Sequence, residues 1–175
     1  AEIPAPDRRH YRNVDYQFSV DLPRGFPACV DEETNHGVGI YLNKTATCAD
    51  RNIEQVPHID VFASYNTPEP EARTPARLAY RYCRPSPPFD PAPLRVAWLR
   101  RPMLGGRPAA GCREYFEGGR VAVLILTLRK TPGAVSGWIE VGAYLETTAA
   151  RYEHDMRAFR GVLKTVWIHP DGPQD

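Results

Sequence analysis

Along much of this chain apolar and polar residues alternate with a period of two, the signature of a half-buried strand. From Tyr11 to Leu22 the residues Val14, Tyr16, Phe18, Val20 and Leu22 alternate with polar neighbours, predicting one strand stopped by Pro23-Arg24-Gly25. Phe26 to Val30 and Val38 to Leu42 read as two further short strands, with Asn43 to Val56 as loop between the second and the next. From His58 to Tyr65, Ile59, Val61, Ala63 and Tyr65 share one face, predicting a strand with His58 and Asp60 on the opposite face. Leu94 to Leu99 is another strand, followed by a turn region at Arg100–Gly106. Ala110–Phe116 and Arg120–Leu128 read as a hairpin turned at Gly118-Gly119. Val121–Leu128 is almost continuously apolar, as in a strand covered on both faces. Val135–Leu145 completes an antiparallel meander, alternating Trp138, Glu140 and Gly142 against Ile139, Val141 and Ala143.

The period changes to 3.6 at two places. Thr74-Pro75 is an N-cap followed by Pro at the first helical position, predicting a helix from Pro75 to Cys83. Thr147 or Thr148 is expected to cap a second helix reaching Leu163, with Tyr152, Met156, Phe159 and Leu163 as its apolar stripe. Asp155 is placed to pair with Arg151 one turn earlier. Thr165–Ile168 reads as a last short strand. Arg84–Pro93 is rich in proline, so it reads as a stiff, extended surface loop. With no internal repeat, the chain reads as one α+β domain over 1–175, with an N-terminal arm at 1–10 and a C-terminal tail at 169–175.

The two ends of this pattern resemble the PsbP-like fold, named for a photosystem II extrinsic subunit and shared by Mog-type Ran-binding proteins. The residues that carry the resemblance are Tyr16-Gln17-Phe18-Ser19-Val20-Asp21-Leu22-Pro23-Arg24-Gly25-Phe26 and Tyr152 to Ile168, especially Phe159-Arg160-Gly161-Val162-Leu163. The resemblance implies an antiparallel sheet flanked by helices, an α/β/α sandwich. Most members of that fold bind proteins and perform no chemistry, so it also implies a binding role. Residues 43–107, with their prolines and cysteines, depart from it.

The 175 residues carry 22 Lys+Arg against 21 Asp+Glu, a net charge of +1. That balance excludes a dedicated nucleic-acid binder and a polybasic membrane-surface protein, and no apolar run is long enough to span a bilayer. Nineteen of the basic residues are Arg and three are Lys, as a GC-rich bacterial coding sequence would give. Four cysteines allow three disulfide connectivities; Cys29–Cys48 and Cys83–Cys112 are favoured because each closes a short local loop. Four reduced, buried thiols are the alternative. Disulfides would place the protein outside the reducing cytosol. Ala1-Glu2-Ile3-Pro4 reads as the start of a mature exported protein, so a periplasmic or secreted location is expected.

Chemistry is sparse. His58-x-Asp60 places two titratable groups on one strand face, where they would serve as an acid–base pair, although a solvated edge explains them equally. Gly105-Gly106-Arg107 and Gly118-Gly119-Arg120 read as turns, since neither has phosphate-loop context. No serine lies in a nucleophile elbow, and neither a metal site nor a cofactor is expected. The predicted contact surfaces for a protein partner are the acidic turn Asp31, Glu32, Glu33 and His36, and the Pro-rich loop with Arg84, Phe89 and Asp90. The expectation is therefore a non-catalytic periplasmic binding module, an immunity protein or inhibitor of a secreted toxin or hydrolase. The alternative is an accessory factor docking on an envelope or photosynthetic complex, and a hydrolase using His58 and Asp60 comes third.

Overall fold

The computed structural model describes residues 10–30, 35–48, 57–65, 73–83, 92–131 and 137–171. In chain order its strands are β1 (His10–Asn13), β2 (Phe18–Asp21), β3 (Ala28–Val30), β4 (Gly37–Tyr41) and β5 (His58–Tyr65). Helix α1 (Pro75–Tyr82) follows. Then come β6 (Arg95–Trp98), β7 (Met103–Leu104), β8 (Arg107–Pro108), β9 (Ala110–Tyr115), β10 (Arg120–Lys130) and β11 (Trp138–Thr148). Helix α2 (Tyr152–Leu163) and β12 (Trp167–Ile168) close the described chain.

Seven strands form one antiparallel sheet in the order β3-β4-β5-β11-β10-β9-β6. Its centre is the predicted meander, with β10 paired to β11 from Arg120↔Thr148 to Lys130↔Trp138 and to β9 from Val121↔Tyr115 to Leu126↔Ala110. The turn between β9 and β10 sits on Gly118 and Gly119 at φ 71° and 79°, a left-handed conformation that glycine adopts without steric cost. The continuous apolar run of β10 is explained by cover on both sides. Val121, Val123 and Ile125 face one layer, and Leu126 and Leu128 face the other.

Helix α1 supplies the second of those layers. Thr74 caps it, its hydroxyl accepting from the Arg77 backbone N–H, and Pro75 stands at its start. Leu78 and Ala79 bury against Leu126, Leu128 and Cys112. Helix α2 lies on the opposite face, burying Met156, Phe159 and Val162 against Val123, Val141, Ala143 and Leu145. Phe159 is fully buried, which contributes roughly 1.5–3 kcal/mol. A small sheet in the order β1-β2-β12 shares that layer and contributes Phe18 and Val20 to the same core. The result is the expected α+β sandwich: helix, sheet, then helix with a small sheet.

Four local readings are corrected. The predicted strand from Tyr11 to Leu22 is a hairpin, β1 paired with β2 from His10↔Asp21 to Asn13↔Phe18. The buried Asn13 makes the turn: its Oδ1 accepts from the Tyr16 N–H at 2.9 Å, and its Nδ2 donates to the Asn35 carbonyl at 2.7 Å. Gln17 takes φ 56°, and Val14 points into solvent. Second, neither Thr147 nor Thr148 caps α2; both remain in β11, because the ladder to β10 extends through Arg120↔Thr148. Arg151 occupies the cap position and makes no capping side-chain bond there. Third, the turn region at Arg100–Gly106 contains β7, paired with β8 in a short hairpin. Fourth, His10, read with the arm, opens β1, and the first tail residues are tied down. His169 N–H donates to the Gln17 carbonyl, and Asp171 pairs with Arg107 at 2.8 Å.

Both favoured disulfides are present. Cys29–Cys48 joins β3 to the segment after β4, with Cα atoms 5.7 Å apart. Cys83–Cys112 joins the C-terminal end of α1 to β9, with Cα atoms 6.2 Å apart. Two formed disulfides fit an extracytoplasmic protein. Among the described residues no helix is long and apolar enough to cross a membrane.

Candidate functional site

The predicted contact residues divide between what the structure describes and what it does not. Asp31, Glu32, Glu33, Arg84, Phe89 and Asp90 lie outside the described residues. His36 is described, and it packs inward: its Nδ1 donates to the Ala63 carbonyl at 2.8 Å, and its ring lies 5.4 Å from that of Tyr16. Tyr16 in turn contacts Tyr65 at 4.9 Å, so His36 belongs to an aromatic strap between the two sheets.

His58 and Asp60 do share a face of β5, with Nε2 and Oδ2 3.4 Å apart. The register sets Glu146 opposite His58 and Tyr144 opposite Asp60 on β11, with Tyr41 of β4 beside His58. The Tyr144 hydroxyl donates to Glu146 Oε2 at 2.7 Å, and Arg120 donates to the same oxygen at 3.2 Å. Burial and the hydrogen bond to Glu146 push the Tyr144 hydroxyl strongly upward, so it stays protonated. Arg120 and Glu146 therefore offset each other's charge, and His58 and Asp60 lie within ion-pair distance, across the open face of the sheet. As a network it braces three strands, and the Tyr144 phenol is committed to a carboxylate.

A different surface stands out at the other end of the same face. The disulfide to Cys112 clamps the end of α1 over β9, beside the edge strand β6. There Tyr80 (47% exposed), Trp98 (52%) and Leu94 (67%) present apolar area to solvent, and Tyr82 (51%) does so on the β11 side of α1. The Tyr80 and Trp98 rings stack, with centroids 6.0 Å apart and planes inclined by 25°. Tyr82 is fixed by its hydroxyl, which donates to Oε2 of the buried Glu140 at 3.1 Å. Burial, and then the Glu140 charge, push the Tyr82 phenol up to about 12. These rings are thus held in position before any partner arrives, which lowers the entropy cost of binding. Tyrosine and tryptophan are also the side chains that most often carry interface energy. Tyr80 was legible in the sequence, being about 200° around the helix from Leu78. Tyr82, one turn from Leu78, reads as core, and only its place at the end of a short helix leaves it exposed. The Pro-rich loop departs from Cys83 and returns just before Leu94, so its two ends flank this surface. Arg107, read from the sequence as part of a turn, is engaged with Asp171 and the Leu128 carbonyl.

No known protein family matches the chain, and no curated protein does. Solved structures that share its architecture include two of low sequence identity. LpqN of Mycobacterium tuberculosis, described as involved in cell envelope biogenesis, is 13% identical, covering 97% of this chain and 91% of its own at a TM-score of 0.55. The cyanobacterial PsbP protein, CyanoP, of Synechocystis sp. PCC 6803 is 12% identical, covering 91% of both chains at a TM-score of 0.50. Such low identities speak to architecture alone, and on that architecture the protein has a PsbP-like fold.

Proposed function

We propose that this protein is a non-catalytic, periplasmic or secreted protein-binding module, and that it docks through the surface formed by Tyr80, Tyr82, Leu94 and Trp98. The observation that carries the reading is the set of half-exposed aromatic rings on a helix clamped by a disulfide to the sheet. Burying such rings against a partner supplies affinity, and the rigid frame limits what binding loses in order. Two finer readings share this surface: an accessory factor on an envelope assembly, and an inhibitor or immunity protein for a secreted toxin or hydrolase. The likeness to LpqN, a protein involved in cell envelope biogenesis, favours the first.

The test is affinity capture from envelope and secreted fractions with the oxidised protein, in parallel with W98A and Y80A. The expected result is one stoichiometric partner whose affinity falls at least about 30-fold for W98A, a hot-spot loss of about 2 kcal/mol. An envelope-assembly component establishes the accessory reading; a hydrolase or toxin silenced on mixing establishes the inhibitor reading. Equal capture by wild type and both variants would remove this surface from the proposal.

A further inference from the structure

We propose that the opposite side of the same sheet edge binds an anionic group, a phosphate or a carboxylate, between Arg113 and Arg95. Both arginines project from the α2 face of the sheet, Arg113 from β9 and Arg95 from the paired position opposite Tyr115 on β6. Arg113 stands over the Tyr152 ring, with Cζ 4.5 Å from its centroid, and donates through Nη1 to the Tyr115 hydroxyl at 3.2 Å. Arg95 stands over the Tyr115 ring at 4.1 Å. Two guanidinium groups therefore converge on one phenol.

Among the described residues no carboxylate lies within ion-pair distance of Arg95 or Arg113, although Arg107, Arg120 and Arg151 each have one. Arg113 Nε and the Tyr152 hydroxyl are also the only buried side-chain polar atoms of the described residues without a hydrogen-bond partner. Both lie at this one place. Buried polar groups are ordinarily satisfied, so two unmet ones beside two cations with no ion-pair partner among the described residues point to a ligand that accepts hydrogen bonds and carries negative charge. A planar guanidinium fork fits the oxygens of a phosphate or carboxylate in a bidentate pair. Around it, Arg160 adds positive charge near Tyr152 and Glu153 opposes it. The site is independent of the aromatic docking surface, which lies on the α1 face.

The experiment follows the arginine Nε–H resonances of the intact, oxidised, ¹⁵N-labelled protein by NMR at constant ionic strength. Sodium phosphate, sodium acetate and sodium chloride are titrated separately, and flotation with phosphatidylglycerol or phosphatidylcholine vesicles runs alongside. The Arg113 resonance, identified by its loss in R113K, should shift saturably with phosphate or acetate and not with chloride. R95Q, a change at an exposed residue that leaves the fold intact, should weaken that binding about tenfold. Anion binding without vesicle binding would identify a soluble phosphate or carboxylate as the source. Phosphatidylglycerol-selective flotation lost in R95Q would identify a lipid headgroup. Unsaturable shifts equal to those in chloride, with no vesicle binding, would overturn the site, as would unchanged affinity in R95Q.

Discussion

At the scale of single residues, the most informative side chain is Asp155. It is fully buried at the start of α2 and accepts hydrogen bonds from the Thr147 hydroxyl, from Arg151 through Nε and Nη2, and from His154. Burial alone would raise its carboxyl, but the bonds from Arg151, His154 and Thr147 outweigh it and hold the group below the usual range. Its charge therefore stabilises the fold at all pH values above the ordinary carboxylate range. That stability is lost only as pH falls below that range, through the depressed native value. The predicted i, i+4 pair with Arg151 is thus present, and it does more than support a helix. Through Thr147 it ties α2 to β11, and Arg151 also reaches the Leu42 carbonyl. D155A should cost about 2 kcal/mol in denaturant unfolding at neutral pH, chiefly for the buried Thr147 hydroxyl left without its partner, because Arg151 and His154 reach solvent. A loss below about 1 kcal/mol would show that the network is exchanged for water without cost.

At the scale of elements, α1 is the one most dependent on a covalent tie. It has eight residues and buries only Leu78 and Ala79, too little to hold a helix of that length to a sheet unaided. The Cys83–Cys112 bond supplies the rest, closing a separation of 29 residues, for which loop entropy gives about 3 kcal/mol. The double variant C83S/C112S should unfold about 3 kcal/mol more easily, and amide exchange should rise first in Pro75–Tyr82. If exchange in α1 stayed at the level of β10, the helix would be held by packing alone. Helix α2 needs no such tie, because Met156, Phe159 and Val162 all bury against the main core. The contrast explains why the second half of the chain is also the part whose sequence pattern is clearest.

For the molecule as a whole, the raised phenols make stability depend on alkaline pH. Tyr82, pushed to about 12, and Tyr144, pushed higher, hold their protons in the native state longer than in the unfolded chain. Their contribution is complete below about pH 10 and is lost as pH rises from there through the native values. Denaturation midpoints measured from pH 8 to 12 should therefore fall above pH 10, and Y82F should flatten the early part of that fall. An unchanged profile in Y82F would assign the loss to other groups.

Much of this architecture was legible from local pattern. The meander, the cap at Thr74, the apolar stripe of α2 and the two disulfides all follow from alternation, helical spacing or short loop closure, which are properties of neighbouring residues. The hairpin at Tyr11–Leu22 escaped because its alternation continues through a turn. Only the bonds from Asn13 to Tyr16 and Asn35 show where the chain reverses. The end of β11 escaped because a cap and a strand compete for the same threonines, and pairing with β10 decides between them. His58 and Asp60 were placed on one face correctly, but the Glu146, Tyr144 and Arg120 that share it come from distant strands. The docking rings and the arginine pair are of the same kind. Each residue is ordinary in sequence, and only the order β11-β10-β9-β6 brings α1 to Trp98 and Arg113 to Arg95. Local periodicity settles which segments are helix and which are strand, because it acts between near neighbours. Which side chains meet at a surface depends on strand order and layer packing, and those are long-range choices of the folded chain.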